Sequence, residues 1–139
     1  MKVLLAVDGS PYTKKMLAYL AAHEMFSPKN EYHAFTVQAV LPAQARSALG
    51  QELVEKYYND EGEAVMKPVI SFLTQHGVTV TGSWKVGRPG ELIAEMATQG
   101  KFDLVVMGSH GYGALLNLVV GSVANEVLAS CRVPTLIVR

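Results

Sequence analysis

Residues 103–111 read DLVVMGSHG, a short apolar run that ends abruptly in a polar, glycine-containing turn. An apolar run this short and this continuous is typical of a strand buried on both faces, and such strands belong to parallel sheets covered by helices. Open parallel sheets bind ligands at the carboxyl ends of their strands, where this turn falls. The stretch therefore predicts both a fold class and the position of a site.

The rest of the chain repeats this arrangement. Apolar runs at residues 3–7, 34–41 and 135–138 indicate three more buried strands, and the alternating run at 78–86 indicates an outer strand. Helical patterns lie between the runs, from about residues 11, 51, 89 and 122. The order predicts one doubly wound α/β domain over residues 1–139, Rossmann-like, with a five-stranded parallel sheet (order 3-2-1-4-5) and helices on both faces.

Two places interrupt the regular pattern. Residues 42–50 are rich in alanine and show no strand or helix periodicity, so we expect a mobile flap there. Pro68 falls inside the second helical pattern, at residues 51–76. Because proline lacks an N–H and its ring crowds the preceding turn, we expect a kink or break at this position.

The charge and cysteine content of the chain indicate which partners and which cellular compartment to expect. The 139 residues carry 12 basic and 12 acidic side chains, and no stretch is a basic run. Nucleic acid and membranes are therefore not expected as partners. Cys131 is the single cysteine, which excludes an intramolecular disulfide and suits a reducing compartment. With no signal-peptide or membrane-span pattern, the expected location is cytoplasmic.

The predicted first and fourth strands meet where the strand order reverses, and polar glycine-containing turns follow both, at residues 8–10 and 108–111. Glycines let the backbone approach a ligand closely. Further along, Gly121 and Ser122 open a helix whose free N–H groups and dipole favour an anion. The loop is neither a Walker A motif nor a dinucleotide fingerprint. These features together favour a polyphosphate ligand.

The four residues Gly108, Gly111, Gly121 and Ser122 follow the G-x2-G-x9-G-[ST] pattern. This pattern, with residues 7–10, 86–89, 103–111 and 134–138, resembles the ATP-binding branch of the universal stress protein family over nearly the whole chain. The resemblance implies an adenine nucleotide alpha hydrolase-like fold and a nucleotide-dependent regulatory role in the stress response. It also implies ATP and Mg²⁺ as ligands, and a homodimer paired through the last strand.

The same resemblance implies how the nucleoside and the metal are held. Asp8 corresponds to the acid near the ribose and the metal-bound phosphates, and it would hold Mg²⁺ directly or through water. Val37 corresponds to the valine that packs on the adenine. Met107 and Gly108 correspond to residues that line the nucleoside. An alternative for Asp8 is that it only caps the first helix.

The phosphates are assigned to the loop and the helix after it. By the resemblance, Gly111 and Gly121 approach the phosphates, and Ser122 with Val123 caps them. His110 lies within this loop, and two roles stay open for its side chain: it contacts a phosphate, or it only orients the backbone.

The predicted function is binding rather than catalysis. Residues 108–122 contain no lysine, arginine or acid, whereas phosphoryl transfer requires charge neutralisation. Slow ATP hydrolysis or autophosphorylation stays open, because Mg²⁺ would supply part of that charge. Two further alternatives are a sensor of AMP or cyclic AMP in the same pocket, and a dimeric module that binds no nucleotide. The glycine pattern argues against the last of these.

Overall fold

The computed structural model describes residues 1–112 and 117–139, so Gly113 of the glycine-rich turn lies outside the described residues. The strands of the described part are β1 (Lys2–Ala6), β2 (Glu31–Gln38), β3 (Val80–Val86), β4 (Leu104–Gly108) and β5 (Thr135–Val138). Its helices are α1 (Pro11–Ala22), α2 (Ala43–Leu49), α3 (Gln51–Gln75), α4 (Pro89–Gln99) and α5 (Ser122–Ser130).

The strands form one parallel sheet in the order β3-β2-β1-β4-β5, which confirms the predicted topology. The central strand β1 pairs with β2 on one side and with β4 on the other, so that Leu4 lies opposite both His33 and Val105. The strand order reverses between β1 and β4 as predicted. The backbone that follows these two strands therefore meets at one edge of the sheet.

Alternate residues of β1 enter two separate hydrophobic layers, because successive side chains of a strand point to opposite faces. Leu5 packs in the layer that contains Met16 of α1 and Leu73 of α3. Leu4 packs in the other layer, with Phe35 and Val127 of α5. Both leucines are fully buried. This two-sided burial explains why β1 has a continuous apolar sequence.

The irregular flap expected at residues 42–50 is wrong, because residues Ala43–Leu49 form helix α2. Alanine-rich sequence has high helix propensity, and Gly50, with a φ of 82°, separates α2 from α3. No residue of α2 is buried. The helix therefore needs no apolar stripe, and its sequence shows no helical pattern of hydrophobic residues.

We expected a kink or a break at Pro68, and the break does not occur, because α3 runs continuously from Gln51 to Gln75. Both Pro68 and Ala64 lie on the exposed face of α3. The carbonyl of Ala64 loses its usual N–H partner to the proline, but on this face water can take the place of that donor.

Strand β3 lies at the sheet edge and is held from one side by α3. A Cβ added at Gly62 of α3 would overlap the indole ring of Trp84, so the ring packs directly on the helix backbone. The same face of β3 contacts α3 again at Gly82, where a Cβ would lie 3.0 Å from the sulfur of Met66. The absence of side chains at these two glycines lets α3 and β3 pack closely.

We predict that Gly62→Ala destabilises the protein by about 1–3 kcal/mol, the usual range for overpacking a core. In an exposed helix the same change would stabilise by about 1 kcal/mol, because alanine is the better helix former. Urea unfolding followed by circular dichroism measures the difference.

The control is the same substitution in a Trp84→Ala background, where the steric conflict is removed and Gly62→Ala becomes neutral or stabilising. A stabilising effect with Trp84 in place would show that the indole does not restrict this position.

Candidate functional site

The carboxyl ends of β1 and β4 open into a cleft of about 770 Å³. Helix α3 lines one wall with Tyr57, Glu61 and Val65, and the segment after β4 lines another together with the start of α5. All nine residues proposed from the sequence line this one cleft: Asp8, Val37, Met107, Gly108, His110, Gly111, Gly121, Ser122 and Val123.

The two carboxylate oxygens of Asp8 face different surroundings. Oδ1 accepts hydrogen bonds from the N–H of Ser10 and the hydroxyl of Thr13, both at 2.9 Å. The N–H of Asp8 donates to the same Thr13 oxygen at 3.0 Å. Oδ2 faces Gly111, where an added Cβ would collide with it. One oxygen thus organises the turn into α1, and the other borders the cleft.

Ser10 occupies the N-cap position of α1, but its side chain makes no capping hydrogen bond. Its hydroxyl is buried and has no hydrogen-bond partner among the residues that the structure describes. Asp8 organises this turn instead, so the capping alternative considered for Asp8 accounts for Oδ1 alone. Oδ2 stays available for another partner.

His110 bonds to protein groups through both ring nitrogens. Nε2 lies 2.8 Å from the carbonyl oxygen of Leu118, and Nδ1 lies 2.8 Å from the hydroxyl oxygen of Ser109. Because a carbonyl oxygen only accepts, Nε2 must carry a hydrogen. These bonds connect the two ends of the segment between β4 and α5. They favour the orienting role over a direct phosphate contact through the ring.

The motif glycines allow close packing of protein groups around the loop. An added Cβ at Gly108 would lie 2.9 Å from the Cβ of Tyr12 on α1. At Gly121 it would lie 3.0 Å from the Ser109 carbonyl oxygen, which also accepts the Gly121 N–H at 2.6 Å. Each glycine therefore fits a neighbouring group so closely that a side chain would move the loop.

The charges that line the cleft are negative. Among the described lining residues, Asp8 and Glu61 are the carboxylates, and none is lysine or arginine. Arg88, at the start of α4, is not among the described lining residues; its side chain is 78% exposed and lies 3.9 Å from the carboxylate of Glu91. The described residues also contain no group of three or more histidine, cysteine or acidic side chains that could hold a metal.

Sequence reasoning missed the contribution of α3 and of Tyr112. Tyr57, Glu61 and Val65 recur every four residues, a spacing that places them on one helical face, and this signal was present in the sequence. The Tyr112 hydroxyl donates to the Gly9 carbonyl at 2.8 Å, although the residue is 72% exposed. That bond links the loop after β4 to the turn after β1.

The fold defines a doubly wound α/β protein with a cleft at the switch point. The chain matches the Universal stress protein family over residues 1–139, and it belongs to that family. It is 31% identical over 138 residues to a universal stress protein of Thermus aquaticus, covering 99% of this chain and 97% of the relative. A universal stress protein of Methanocaldococcus jannaschii is 30% identical over 142 residues, covering 99% and 81%.

Solved structures share the fold. The universal stress protein UspA from Lactobacillus plantarum superposes with a TM-score of 0.81 at 19% identity, covering 100% and 97% of the two chains. A family member from Arabidopsis thaliana with AMP bound gives 0.70 at 15% identity, covering 99% and 90%. A universal stress protein in complex with cAMP gives 0.59 at 22% identity, covering 100% and 97%.

Within residues 1–112 and 117–139, no helix is both long enough and apolar enough to cross a bilayer.

We predict that His110→Ala loosens the loop closure. Losing a hydrogen bond worth about 1 kcal/mol should raise the hydrogen-exchange rate of the Gly121 amide about fivefold. His110→Gln, which keeps a donor that can reach the Leu118 carbonyl, should return the rate to within roughly twofold of wild type.

The amide of Val105, which bonds to Pro134 across β4 and β5, serves as the internal control. Exchange at Gly121 that is unchanged in both variants would rule out a closing role for His110.

Proposed function

We propose that this universal stress protein binds an adenine nucleotide in the cleft between β1 and β4, with Mg·ATP as the favoured ligand, and that it acts as a nucleotide-dependent regulatory module of the stress response. The observation that carries the proposal is the placement of Asp8 Oδ2 beside Gly111, at the edge where β1 and β4 both end. The AMP and cAMP complexes of proteins with this fold support binding of an adenine nucleotide.

The base end of the proposed site is apolar. Val37 at the end of β2 and Met107 in β4 both line the cleft, and Met107 is nearly buried. Such side chains suit the flat faces of an adenine ring. The cleft volume also falls in the range of about 300–1,000 Å³ that small-molecule sites occupy.

The phosphate end offers neutral donors. Helix α5 begins at Ser122, and Gly121 precedes it in extended conformation. The N–H groups of Ser122 and Val123 therefore belong to the first turn, where N–H groups lack intrahelical partners. Together with a dipole of about half a positive charge, they favour an anion.

Charge balance is the reason for including Mg²⁺. A triphosphate carries about four negative charges, and a helix end equivalent to about half a positive charge does not balance them. Magnesium is commonly held by one or two carboxylates together with phosphate oxygens, and Asp8 Oδ2 fits that role. When bound, Mg²⁺ would neutralise part of the phosphate charge.

The same charge balance argues against rapid turnover. Enzymes that transfer phosphoryl groups position lysine, arginine or metal ions around the developing charge. Residues 108–122 contain no lysine or arginine, and none of the described lining residues is lysine or arginine. We therefore infer a binding protein, with turnover well below 1 per second, a typical lower value for enzymes.

The second candidate is a sensor of AMP or cyclic AMP. The described lining of the cleft contains two carboxylates and no lysine or arginine. This favours the sensor, because a nucleotide with fewer negative charges is repelled less. The two candidates share a pocket and differ in whether Mg²⁺ and Asp8 strengthen binding.

Calorimetry with ATP, AMP and cyclic AMP, each with and without Mg²⁺, tests the proposal. We expect Mg·ATP to bind most tightly. Asp8→Asn should weaken it about tenfold or more, equivalent to roughly 1.4 kcal/mol, because Asn keeps an acceptor for Ser10 and Thr13 but loses the charge. AMP affinity should change little.

Glu61→Gln is the matched control on the opposite wall, and its effect should be smaller than that of Asp8→Asn. Tighter binding of AMP or cyclic AMP than of Mg·ATP would establish the sensor instead.

We also propose a homodimer formed through β5. Strand β5 is the last strand of the sheet and pairs with β4 on one side. The carbonyls of Pro134 and Val138 accept hydrogen bonds from Val105 of β4 and from Ser109 directly after it, so the alternating residues Thr135 and Ile137 direct their backbone groups outward. A two-fold pairing of two such edges would cover both.

Thr135→Pro tests this pairing, because it removes one outward N–H and leaves both carbonyl bonds to β4 in place. We expect a wild-type dimer at micromolar concentration and dissociation at least tenfold easier in the variant, measured by analytical ultracentrifugation. A monomeric wild-type protein would refute the assembly.

A further inference from the structure

A second polar cluster lies outside the nucleotide cleft, on the face of β2 and β3 opposite to Trp84. His33 of β2 is paired with Thr81 of β3 in the strand register. Its Nδ1 lies 2.6 Å from the Thr81 hydroxyl oxygen, and its Nε2 lies 2.7 Å from the Ser83 hydroxyl oxygen. The imidazole is thus held between two hydroxyl groups that lie two residues apart on one face of β3.

Each ring nitrogen of His33 faces a hydroxyl group, which can donate or accept a hydrogen bond. A neutral imidazole donates from one nitrogen and accepts at the other. The tautomer with the hydrogen on Nδ1 is therefore allowed; in it Nδ1 donates to Thr81 and Nε2 accepts a hydrogen bond from the Ser83 hydroxyl. This is the arrangement of an activated nucleophile: a hydroxyl bonded to a base that a third group orients. Ser83 is the better nucleophile of the two, because its hydroxyl is on an unbranched carbon.

The surroundings keep His33 unprotonated. Burial lowers the pKa of His33, and the nearby positive charge of Lys2 lowers it further. The charged residues that line this region are Lys2 of β1 and Glu31 of β2. The imidazole is therefore free to accept a proton at neutral pH, and it would lose that capacity only below the ordinary histidine pKa of about 6.5.

The cluster borders a cavity of about 370 Å³ that shares no lining residue with the nucleotide cleft. Met96 of α4 and Phe102 line its apolar side. The Phe102 ring centroid lies 6.1 Å from that of His33 and 4.6 Å from the Lys2 ammonium. The cavity thus offers an apolar wall beside a hydroxyl, which suits a short apolar acyl group.

We propose that Ser83 is a nucleophilic serine that accepts the acyl group of small activated esters and thioesters. Ser83 Oγ bonds to the acyl carbon while Nε2 of His33 takes the hydroxyl proton. The bond to the leaving oxygen or sulfur breaks, and the leaving group takes that proton from His33. The products are an acylated Ser83 and a free alcohol or thiol, and Thr81 acts as a positioning residue.

The test incubates the full chain with p-nitrophenyl acetate at neutral pH, follows p-nitrophenolate release and locates the acetyl group by peptide mass spectrometry. We expect one acetyl group on Ser83, and none at that peptide in Ser83→Ala. His33→Gln should slow acylation about 100-fold, the lower range for general base catalysis. The wild-type rate should be flat at neutral pH and fall on acidification.

Two controls are included. The first distinguishes a positioning role of Thr81 from a purely structural one, and the second distinguishes reaction at Ser83 from general acylation of exposed serines. Thr81→Val should slow acylation, and Thr81→Ser should restore the wild-type rate and pH profile. Ser47→Ala, which removes a serine of the exposed helix α2, should react as wild type does. Labelling at Lys2 or Thr81 instead of Ser83, or an unchanged rate in Ser83→Ala, would overturn the assignment.

Discussion

The structure depends on the burial of β1 on both faces at the centre of the sheet. Leu4 and Leu5 are each fully buried, and they pack in different hydrophobic layers. This requires helices on both sides and neighbouring strands on both edges, which β2 and β4 supply. The N–H of Val7, directly after β1, still bonds to the Phe35 carbonyl of β2, and the chain then turns at the edge where β4 also ends.

The cleft follows from that turn. Asp8 stabilises it through Oδ1, which accepts from Ser10 and Thr13, and the strand geometry directs Oδ2 toward Gly111. A single carboxylate therefore contributes to folding through one oxygen and borders the candidate site with the other. The Tyr112 bond to Gly9 links the same two turns, so the site and the start of α1 are parts of one hydrogen-bonded structure.

Much of the fold and of the candidate site could be predicted from the sequence, and each feature that was missed has a physical cause. The strand order and the cleft position were predictable because buried strands carry continuous apolar runs and glycines mark the turns after them. Helix α2 was not predictable in this way, because none of its residues is buried. Tyr57 and Glu61 were missed because α3 has two contacting faces and the core face dominates its pattern. The bonds of His110 depend on Leu118, whose approach only the folded loop determines.

The two histidines bonded to hydroxyl groups show how the partners decide the chemistry. His110 has a carbonyl on one side, which only accepts, so the hydrogen on Nε2 must stay and the ring serves to join two backbone segments. His33 has a hydroxyl on each side, and a hydroxyl both donates and accepts. With its hydrogen on Nδ1, His33 donates to Thr81 and leaves Nε2 to accept the hydrogen bond of Ser83, which is the arrangement that a general base requires.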